Sequence, residues 1–216
     1  MGRKISLVLI AVLGLFYIFY YGERDDSFKM LFKLLPMILI LGLAISTKAK
    51  NIPQYYLLIS IGLVFCTIGD YTLQWFIVGL SFFLTGHLFY ISAFLTTKDH
   101  KTPTAVKVIL AVYGIVMAGW IAGTLFSKGD IVMGIAVCAY ILVILLMGWT
   151  SWRTGSKYAI IGSTLFILSD SFLAINKFIV DLPISHILIM STYYGAQILL
   201  ALSISQYSVI RNKVVQ

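Results

Sequence analysis

Charged residues are scarce in this sequence of 216 residues, where Asp, Glu, Lys and Arg together make up 11% and hydrophobic residues make up 60%. The mean hydropathy is +0.98. A water-soluble domain of this length needs more charge than that to cover its surface. The composition therefore excludes a soluble globular protein, and it predicts a single integral membrane domain over residues 1–216.

Cysteine and histidine are also scarce, with two and three copies. Cys66 and Cys138 both lie inside apolar runs, a context that favours neither a disulfide nor a metal site and leaves the redox compartment open. His100 and His186 are expected in loops on opposite faces and His87 within the membrane, so the three cannot bind one metal ion. The sequence also lacks a Gly-x-Ser-x-Gly segment. We therefore expect no metal and no cofactor, and disfavour zinc hydrolases and serine esterases.

Apolar runs of about 20 residues, the length that a helix needs to cross a bilayer, recur along the whole chain. The first run, 5–21, ends in aromatic and charged residues without a small-residue cleavage pattern, which favours a helix over a signal peptide. The other helices are predicted at 30–46, 54–73, 75–96, 104–126, 130–149, 157–175 and 185–209. The predicted fold class is all-α, a polytopic transmembrane bundle of eight helices.

The distribution of positive charge predicts the orientation of this bundle. The net charge is +8, yet no basic cluster with interleaved aromatics lies outside the apolar runs, so we expect no nucleic acid partner. With the N-terminus inside, the inner segments hold Arg3, Lys4, Lys48, Lys50, Lys98, Lys101, Lys107, Arg153, Lys157, Arg211 and Lys213. The outer segments hold Arg24, Lys29, Lys33, Lys128 and Lys177. Because Lys and Arg concentrate on the cytoplasmic side, both termini are predicted to be cytoplasmic.

Two aspartates lie inside apolar runs, where an ionised carboxylate costs at least a few kcal/mol and is usually functional. Asp70 lies in the run 61–73 and Asp170 in the run 162–176, one hundred positions apart, with Ile, Gly, Asp and Leu in register. A parallel four-helix repeat explains this register, and chance matching between apolar helices is the alternative. Both aspartates come late in helices of the same direction, which predicts one site in the outer half of the membrane. The alternative is a hydrogen-bonded pair that only holds the helices together.

Other polar residues fall within or at the ends of the same helices. We predict that six of them share the site and contact its ligand: Lys33, His87, Tyr90, Asn176, Tyr193 and Gln197. Structural roles stay open for each of them. Lys33 could be a lysine that snorkels to the membrane interface. His87 could be a core histidine, and Gln197 could form hydrogen bonds between helices.

Five short motifs carry a resemblance to a known family. They are Lys33-Leu34-Leu35-Pro36, Gly69-Asp70, Gly86-His87-Leu88-Phe89-Tyr90, Leu168-Ser169-Asp170 and Thr192-Tyr193-Tyr194-Gly195-Ala196-Gln197. With these motifs the chain resembles, along most of its length, the YhhN-like lysoplasmalogenases, which are eight-helix integral membrane hydrolases. The expected location is the endoplasmic reticulum membrane if the source is eukaryotic, and the inner membrane if it is bacterial.

The resemblance implies hydrolysis of the vinyl ether bond of a lysoplasmalogen to a fatty aldehyde and glycerophospho-ethanolamine or -choline. Its partners are then a lysophospholipid substrate and membrane lipid. Such a bond breaks when its β-carbon is protonated, and two nearby carboxylates in a low-dielectric site can divide the roles of acid and base. Asp70 and Asp170 are the expected catalytic residues, and Lys33 is expected to attract the phosphate. A proton-coupled transporter or lipid flippase that uses the aspartates as a relay is the alternative, and a non-catalytic scaffold is a third.

Overall fold

The computed structural model describes residues 2–21, 28–47, 49, 51–97 and 100–215. Its eight helices are α1 (Arg3–Phe16, continued by a π-helical turn, Tyr17–Tyr21), α2 (Lys29–Ile45), α3 (Pro53–Thr72), α4 (Phe76–Leu95), α5 (Thr104–Ser127), α6 (Ile131–Ser151), α7 (Lys157–Phe178) and α8 (Ser185–Val215). The described residues contain no β-strand. These elements confirm the prediction of an all-α bundle of eight helices.

Eight of the charged residues in the loops lie outside the part of the chain that the structure describes. They are Glu23, Arg24, Asp25, Asp26, Lys48, Lys50, Lys98 and Asp99. The side chain of Lys213, in the last turn of α8, also lies outside the description.

Local signals in the sequence account for several helix boundaries. Pro53 occupies the first turn of α3, where its missing N–H costs nothing. The Asp130 carboxylate accepts a hydrogen bond of 3.1 Å from the Met133 N–H and so caps α6. Gly155 adopts a φ of +62° in the turn between α6 and α7, a conformation that glycine reaches without a Cβ clash.

Seven of the eight helices are long and apolar enough to cross a membrane by length and composition. The exception is α2, which has 17 residues and contains Pro36. The described chain is therefore a multi-pass membrane protein. Its longest helix is α8, with 31 residues.

Hydrogen bonds from loop residues to the last part of α8 show that the helices alternate in direction. Asn51, before α3, donates from its amide to the Ser208 carbonyl near the end of α8 at 2.9 Å. The Ser156 hydroxyl, before α7, donates to the Gln206 side chain of the same helix at 2.5 Å. The starts of α3 and α7 and the end of α8 thus lie together, at what we call the terminal end of the bundle.

The other ends of these helices meet at the opposite end. The Lys128 ammonium, after α5, donates to the Phe178 carbonyl at the end of α7 over 3.4 Å. Tyr17, at the end of α1, packs edge-on against His186 at the start of α8, with ring centroids 5.2 Å apart. Both α3 and α7 therefore run from the terminal end to the opposite end.

The closest packing joins α3 to α4 and α7 to α8. Gly62 and Gly86 let α3 and α4 approach, because a Cβ on Gly86 would lie 2.8 Å from the Cys66 sulfur and 3.1 Å from the Gly62 carbonyl oxygen. A Cβ on Gly162 of α7 would lie 3.1 Å from the Ala196 carbonyl oxygen of α8. The helices α3 and α7, which carry the two aspartates, are thus each held against a neighbouring helix.

Candidate active site

Asp70 lies two residues before the end of α3 and is almost fully buried. One carboxylate oxygen accepts a hydrogen bond of 2.6 Å from the Tyr193 hydroxyl on α8. The other lies 3.4 Å from the Lys33 ammonium on α2, which also donates to the Asp70 backbone carbonyl at 2.9 Å. A buried carboxylate with a cation and a hydroxyl donor has the partners that an ionised acid needs in the membrane.

The neighbouring tyrosine on α8 holds Lys33 in place. The Tyr194 hydroxyl donates to the Lys33 carbonyl at 2.7 Å, three residues before Pro36. A proline inside a helix removes a backbone donor, so α2 is weakened at this point. Tyr193 and Tyr194 therefore connect α8 to both members of the ion pair.

The ion pair faces a cavity of about 400 Å³. Its wall consists of Tyr17, Lys29, Met30, Lys33, Asp70, Leu73 and Gln74. Because these residues lie at the end of α1 and α3 and at the start of α2, we call it the opposite-end cavity. Lys29 precedes Lys33 by four residues and shares its helix face. Among the described residues of its wall, two ammonium groups face one carboxylate, which is an excess of positive charge.

Asp170 lies on α7, eight residues before the helix ends, in different surroundings. Its Oδ2 accepts a short hydrogen bond from the Tyr140 hydroxyl of α6. Among the described residues no cation pairs with it. Asp170 lines a second, narrow cavity of about 50 Å³ between α4, α5, α6 and α7, which we call the apolar cavity. Apart from Asp170, Tyr140, Tyr113 and Ser171, the described side chains of its wall are aliphatic, aromatic or Met.

Within the described residues no hydrogen bond joins the two carboxylates. Phe83 stands between their surroundings. Its ring packs on Gly69, beside Asp70, lies 5.9 Å from the Tyr193 ring, and lines the apolar cavity. Leu73 lines both cavities. The aspartates therefore belong to two adjoining cavities that Leu73 and Phe83 divide.

His87, Tyr90 and Gln197 form a buried polar layer next to these cavities without lining either of them. The Tyr90 hydroxyl donates to Gln197 Oε1 at 2.8 Å. The His87 ring packs edge-on against Phe166 at 4.5 Å and Tyr140 at 5.4 Å, and neither of its nitrogens has a hydrogen-bond partner among the described residues. Contact of this layer with a ligand stays a prediction.

Asn176 has a local partner at the end of α7. Its side-chain oxygen accepts a hydrogen bond of 2.8 Å from the Leu182 N–H in the loop before α8. This bond shapes the loop, and a ligand contact for Asn176 also stays a prediction. Lys33 and Tyr193, by contrast, both touch Asp70.

Tyr140, Lys29, Leu73 and Phe83 are site residues that the sequence reasoning missed. Lys29 had a signal, its spacing of four from Lys33, whereas a leucine, a phenylalanine or one of 13 tyrosines in an apolar run has none. In the described part of the chain, no three His, Cys, Asp or Glu side chains cluster as metal ligands. The groups at hand for chemistry are therefore two carboxylates with their tyrosine and lysine partners.

Comparison with known proteins places this chain in a family. The YhhN family model matches residues 28–204. Lysoplasmalogenase TMEM86B of Homo sapiens is 32% identical over 204 residues, which cover 93% of this chain and 86% of that protein. Lysoplasmalogenase TMEM86A is 37% identical over 163 residues in Homo sapiens and 34% over 160 residues in Bos taurus, and each match covers 67% of this chain. The chain spans 64% of the length of both TMEM86A proteins.

No solved structure matches the chain. The family model, however, covers most of its residues, including both aspartates. The matched region begins just before α2 and ends within α8, so it contains every side chain of the site except Tyr17. The chain therefore belongs to the YhhN family, as its resemblance to the YhhN-like lysoplasmalogenases predicts.

Proposed function

We propose that this protein is a lysoplasmalogenase, which hydrolyses the vinyl ether bond of an alkenyl-glycerophospho-ethanolamine or -choline. The names of the curated relatives support this reaction. The observation that carries the proposal is the pair of adjoining cavities, one with two lysines and Asp70, the other apolar with Asp170. A lysoplasmalogen has the matching parts, since an anionic phosphate and an apolar alkenyl chain flank its reactive bond.

In the proposed complex the phosphate binds at Lys29 and Lys33, and the alkenyl chain passes Leu73 toward Asp170. Ammonium groups bind phosphate as point charges, and apolar walls suit the chain. At about 50 Å³ the apolar cavity has room for only a few water molecules. A bound chain therefore requires Leu73, Phe83 and the other wall residues to move apart.

The reaction consumes one water and needs one acid and one base. The acid protonates the β-carbon of the vinyl ether, and its π electrons form the new C–H bond, leaving an oxocarbenium ion. Water adds to the α-carbon and loses a proton to the base, which gives a hemiacetal. The hemiacetal C–O bond to glycerol then breaks as the glycerol oxygen takes the proton held by the base, and the hemiacetal hydroxyl gives its proton back to the acid's carboxylate. This yields the aldehyde and the free glycerol hydroxyl and restores both carboxyl groups.

The partners of the two carboxylates suggest how they divide these roles. Asp70 is paired with the Lys33 ammonium and accepts from Tyr193, so it suits the anionic base. Asp170 faces apolar walls, and among the described residues it has no cation partner and no hydrogen-bond donor to its Oδ1, so it suits the proton-carrying acid. Two carboxylates in contrasting environments are the usual arrangement for a split of acid and base.

The test replaces each carboxylate by its isosteric amide. Asp70→Asn and Asp170→Asn should each lower aldehyde release from purified protein by about 10²- to 10⁴-fold, the usual contribution of a general acid or base. Because both groups serve one proton-transfer sequence, the double variant should be little slower than the slower single variant. Asp181→Asn, in the exposed loop before α8, is the matched control and should retain activity.

Full activity in well-folded single variants would refute the acid–base mechanism. A wild-type protein that moves lysolipid between leaflets and releases no aldehyde would establish the alternative, a flippase that uses the aspartates as a relay. Monodispersity in detergent separates both results from misfolding.

We further propose that the terminal end of the bundle faces the cytoplasm, so that the opposite-end cavity faces the other side. Positive charge in the connecting segments supports this orientation. The described terminal-end segments carry Arg3, Lys4, Lys101, Lys107, Arg153, Lys157 and Arg211. In a eukaryote the membrane would be that of the endoplasmic reticulum, and in a bacterium the inner membrane.

A further inference from the structure

A groove runs along the lipid-exposed side of α5 and α6, away from the aspartates. Its wall on α5 consists of residues between Lys107 and Ala118 that are spaced three or four positions from one another. Its wall on α6 consists of residues with the same spacing between Cys138 and Trp149. Its volume is about 520 Å³. Eleven residues of helix span about 16 Å at 1.5 Å each, roughly half of a 30 Å hydrocarbon core. The groove therefore has the length of one leaflet.

At the terminal end the groove opens into another cavity, of about 710 Å³, with which it shares Lys107, Leu146 and Trp149. We call it the cationic cavity. His100, Lys101, Lys107 and Arg153 line it, and its described wall contains no acid. Lys98 and Asp99, which precede His100, lie outside the described residues and carry opposite charges. The described wall thus has three full positive charges without a counter-charge.

Arg153 is the most informative of these cations. Its Nε is buried and has no hydrogen-bond partner among the described residues. Lys107 lies over the Trp149 ring, with its ammonium 5.5 Å from the ring centroid. A guanidinium donor that is removed from water without an acceptor is costly. The acceptor that guanidinium geometry fits best is a phosphate or carboxylate.

We propose that this groove and cavity form a binding site for an anionic phospholipid of the leaflet at the terminal end. The phosphate lies at Arg153 and Lys107, and one chain lies in the groove over Ala111, Gly114 and Ala118. The continuity of an apolar groove of one-leaflet length with a cationic cavity at its end distinguishes a lipid from a soluble anion. Anionic lipids attract basic residues at the membrane surface in this way.

Such a lipid connects α5 to the turn that follows α6. The helix α5 carries a wide apolar face to the membrane, including Ile115 at 74% exposure. The inner faces of α5 and α6 provide Tyr113, Met117 and Tyr140 to the apolar cavity. The bound lipid therefore holds two walls of that cavity together. The binding itself does not depend on the proposed function.

The experiment measures lipid retention by native mass spectrometry of detergent-purified protein mixed with phosphatidylglycerol or with phosphatidylcholine of the same chains. Phosphatidylglycerol should be retained in preference. Lys107→Gln together with Arg153→Gln should weaken its retention by about fivefold for each charge removed. Lys4→Gln together with Lys157→Gln removes two exposed charges at the same end of the bundle and should leave retention unchanged.

A second pair of variants tests the groove with all charges present. Ala111→Leu together with Ala118→Leu fills it and should also lower retention of phosphatidylglycerol, whereas Ala105→Leu, outside the groove, should not. The proposal is overturned if phosphatidylcholine is retained equally, or if the Lys107 and Arg153 variants keep wild-type retention. It is also overturned if glycerol phosphate without chains displaces the lipid completely, because the site would then be one for a soluble anion.

Discussion

Lys33 has two partners in the proposed complex, the Asp70 carboxylate and the substrate phosphate. From the sequence alone, Lys33→Met is expected to raise KM and keep kcat, since only phosphate binding is lost. The ion pair adds a second effect. Breaking a buried pair costs about 3 to 5 kcal/mol, so Lys33→Met should also lower kcat and the unfolding temperature.

Lys29→Met is the matched control, because Lys29 lines the same cavity and has no ion pair with a described residue. Steady-state kinetics with a lysoplasmalogen should show a raised KM and an unchanged kcat for this variant. If both lysine variants behave alike, the ion pair has no part in turnover. If neither changes KM, the phosphate does not bind there.

Tyr140 gives a second prediction about a single residue. Tyr140→Phe removes the hydrogen bond to Asp170 and little else, and a bond to a charged or acidic group is worth about 1.5 to 3 kcal/mol. We expect kcat to fall about 10- to 100-fold. Tyr113→Phe is the control, since Tyr113 lines the same cavity but bonds to Ser171. Equal losses in the two variants would contradict a specific role for Tyr140.

The same residues show what a sequence can reveal at this scale. Asp70 and Asp170 could be predicted because a carboxylate in an apolar run is costly, so each one is conspicuous. Tyr140 and Phe83 could not, because aromatic residues are common in membrane helices and only their neighbours distinguish them. The cavities they line depend on contacts between distant helices, which no local pattern encodes.

At the scale of the elements, the close contact of α3 and α4 depends on glycine. A Cβ on Gly86 would meet the Cys66 sulfur and the Gly62 backbone, so Gly86→Ala should force the helices apart and cost about 1 to 3 kcal/mol. Gly42→Ala in α2, where no heavy atom lies within 4 Å of the added carbon, should be neutral or slightly stabilising. Thermal unfolding in one detergent compares the two, and equal stability of both variants would rule out the close contact.

Helix ranges were predictable to within a few residues at most ends because apolar length, proline and capping residues are local signals. Pro53 marks the start of α3, and Asp130 that of α6. The end of α8 was placed six residues too early, since Arg211, Asn212 and Lys213 interrupt the apolar run, yet Asn212 accepts a hydrogen bond of 2.9 Å from the Asn51 amide. Which helices are neighbours was not predictable from hydropathy, which is similar on every lipid-facing surface.

For the whole molecule, the alternation of helices brings both termini to one end, and the charge distribution predicts that this end is cytoplasmic. In a variant without Cys66 and Cys138, single cysteines at Gly2→Cys and Asn212→Cys should resist a membrane-impermeant thiol reagent in intact cells. Lys128→Cys, at the opposite end, should react. All three should react after permeabilisation, which controls for burial, and the reverse pattern in intact cells would invert the proposed orientation.

The division of the site by Leu73 has a consequence for what happens after the bond is broken. In the proposed reaction the glycerophospho product forms beside Lys29 and Lys33, in a cavity at the opposite end of the bundle from which it can leave for water. The same proposal leaves the aldehyde chain among the apolar side chains of α4 to α7. We therefore expect the two products to leave in different directions, the aldehyde into the membrane and the head group into the aqueous phase.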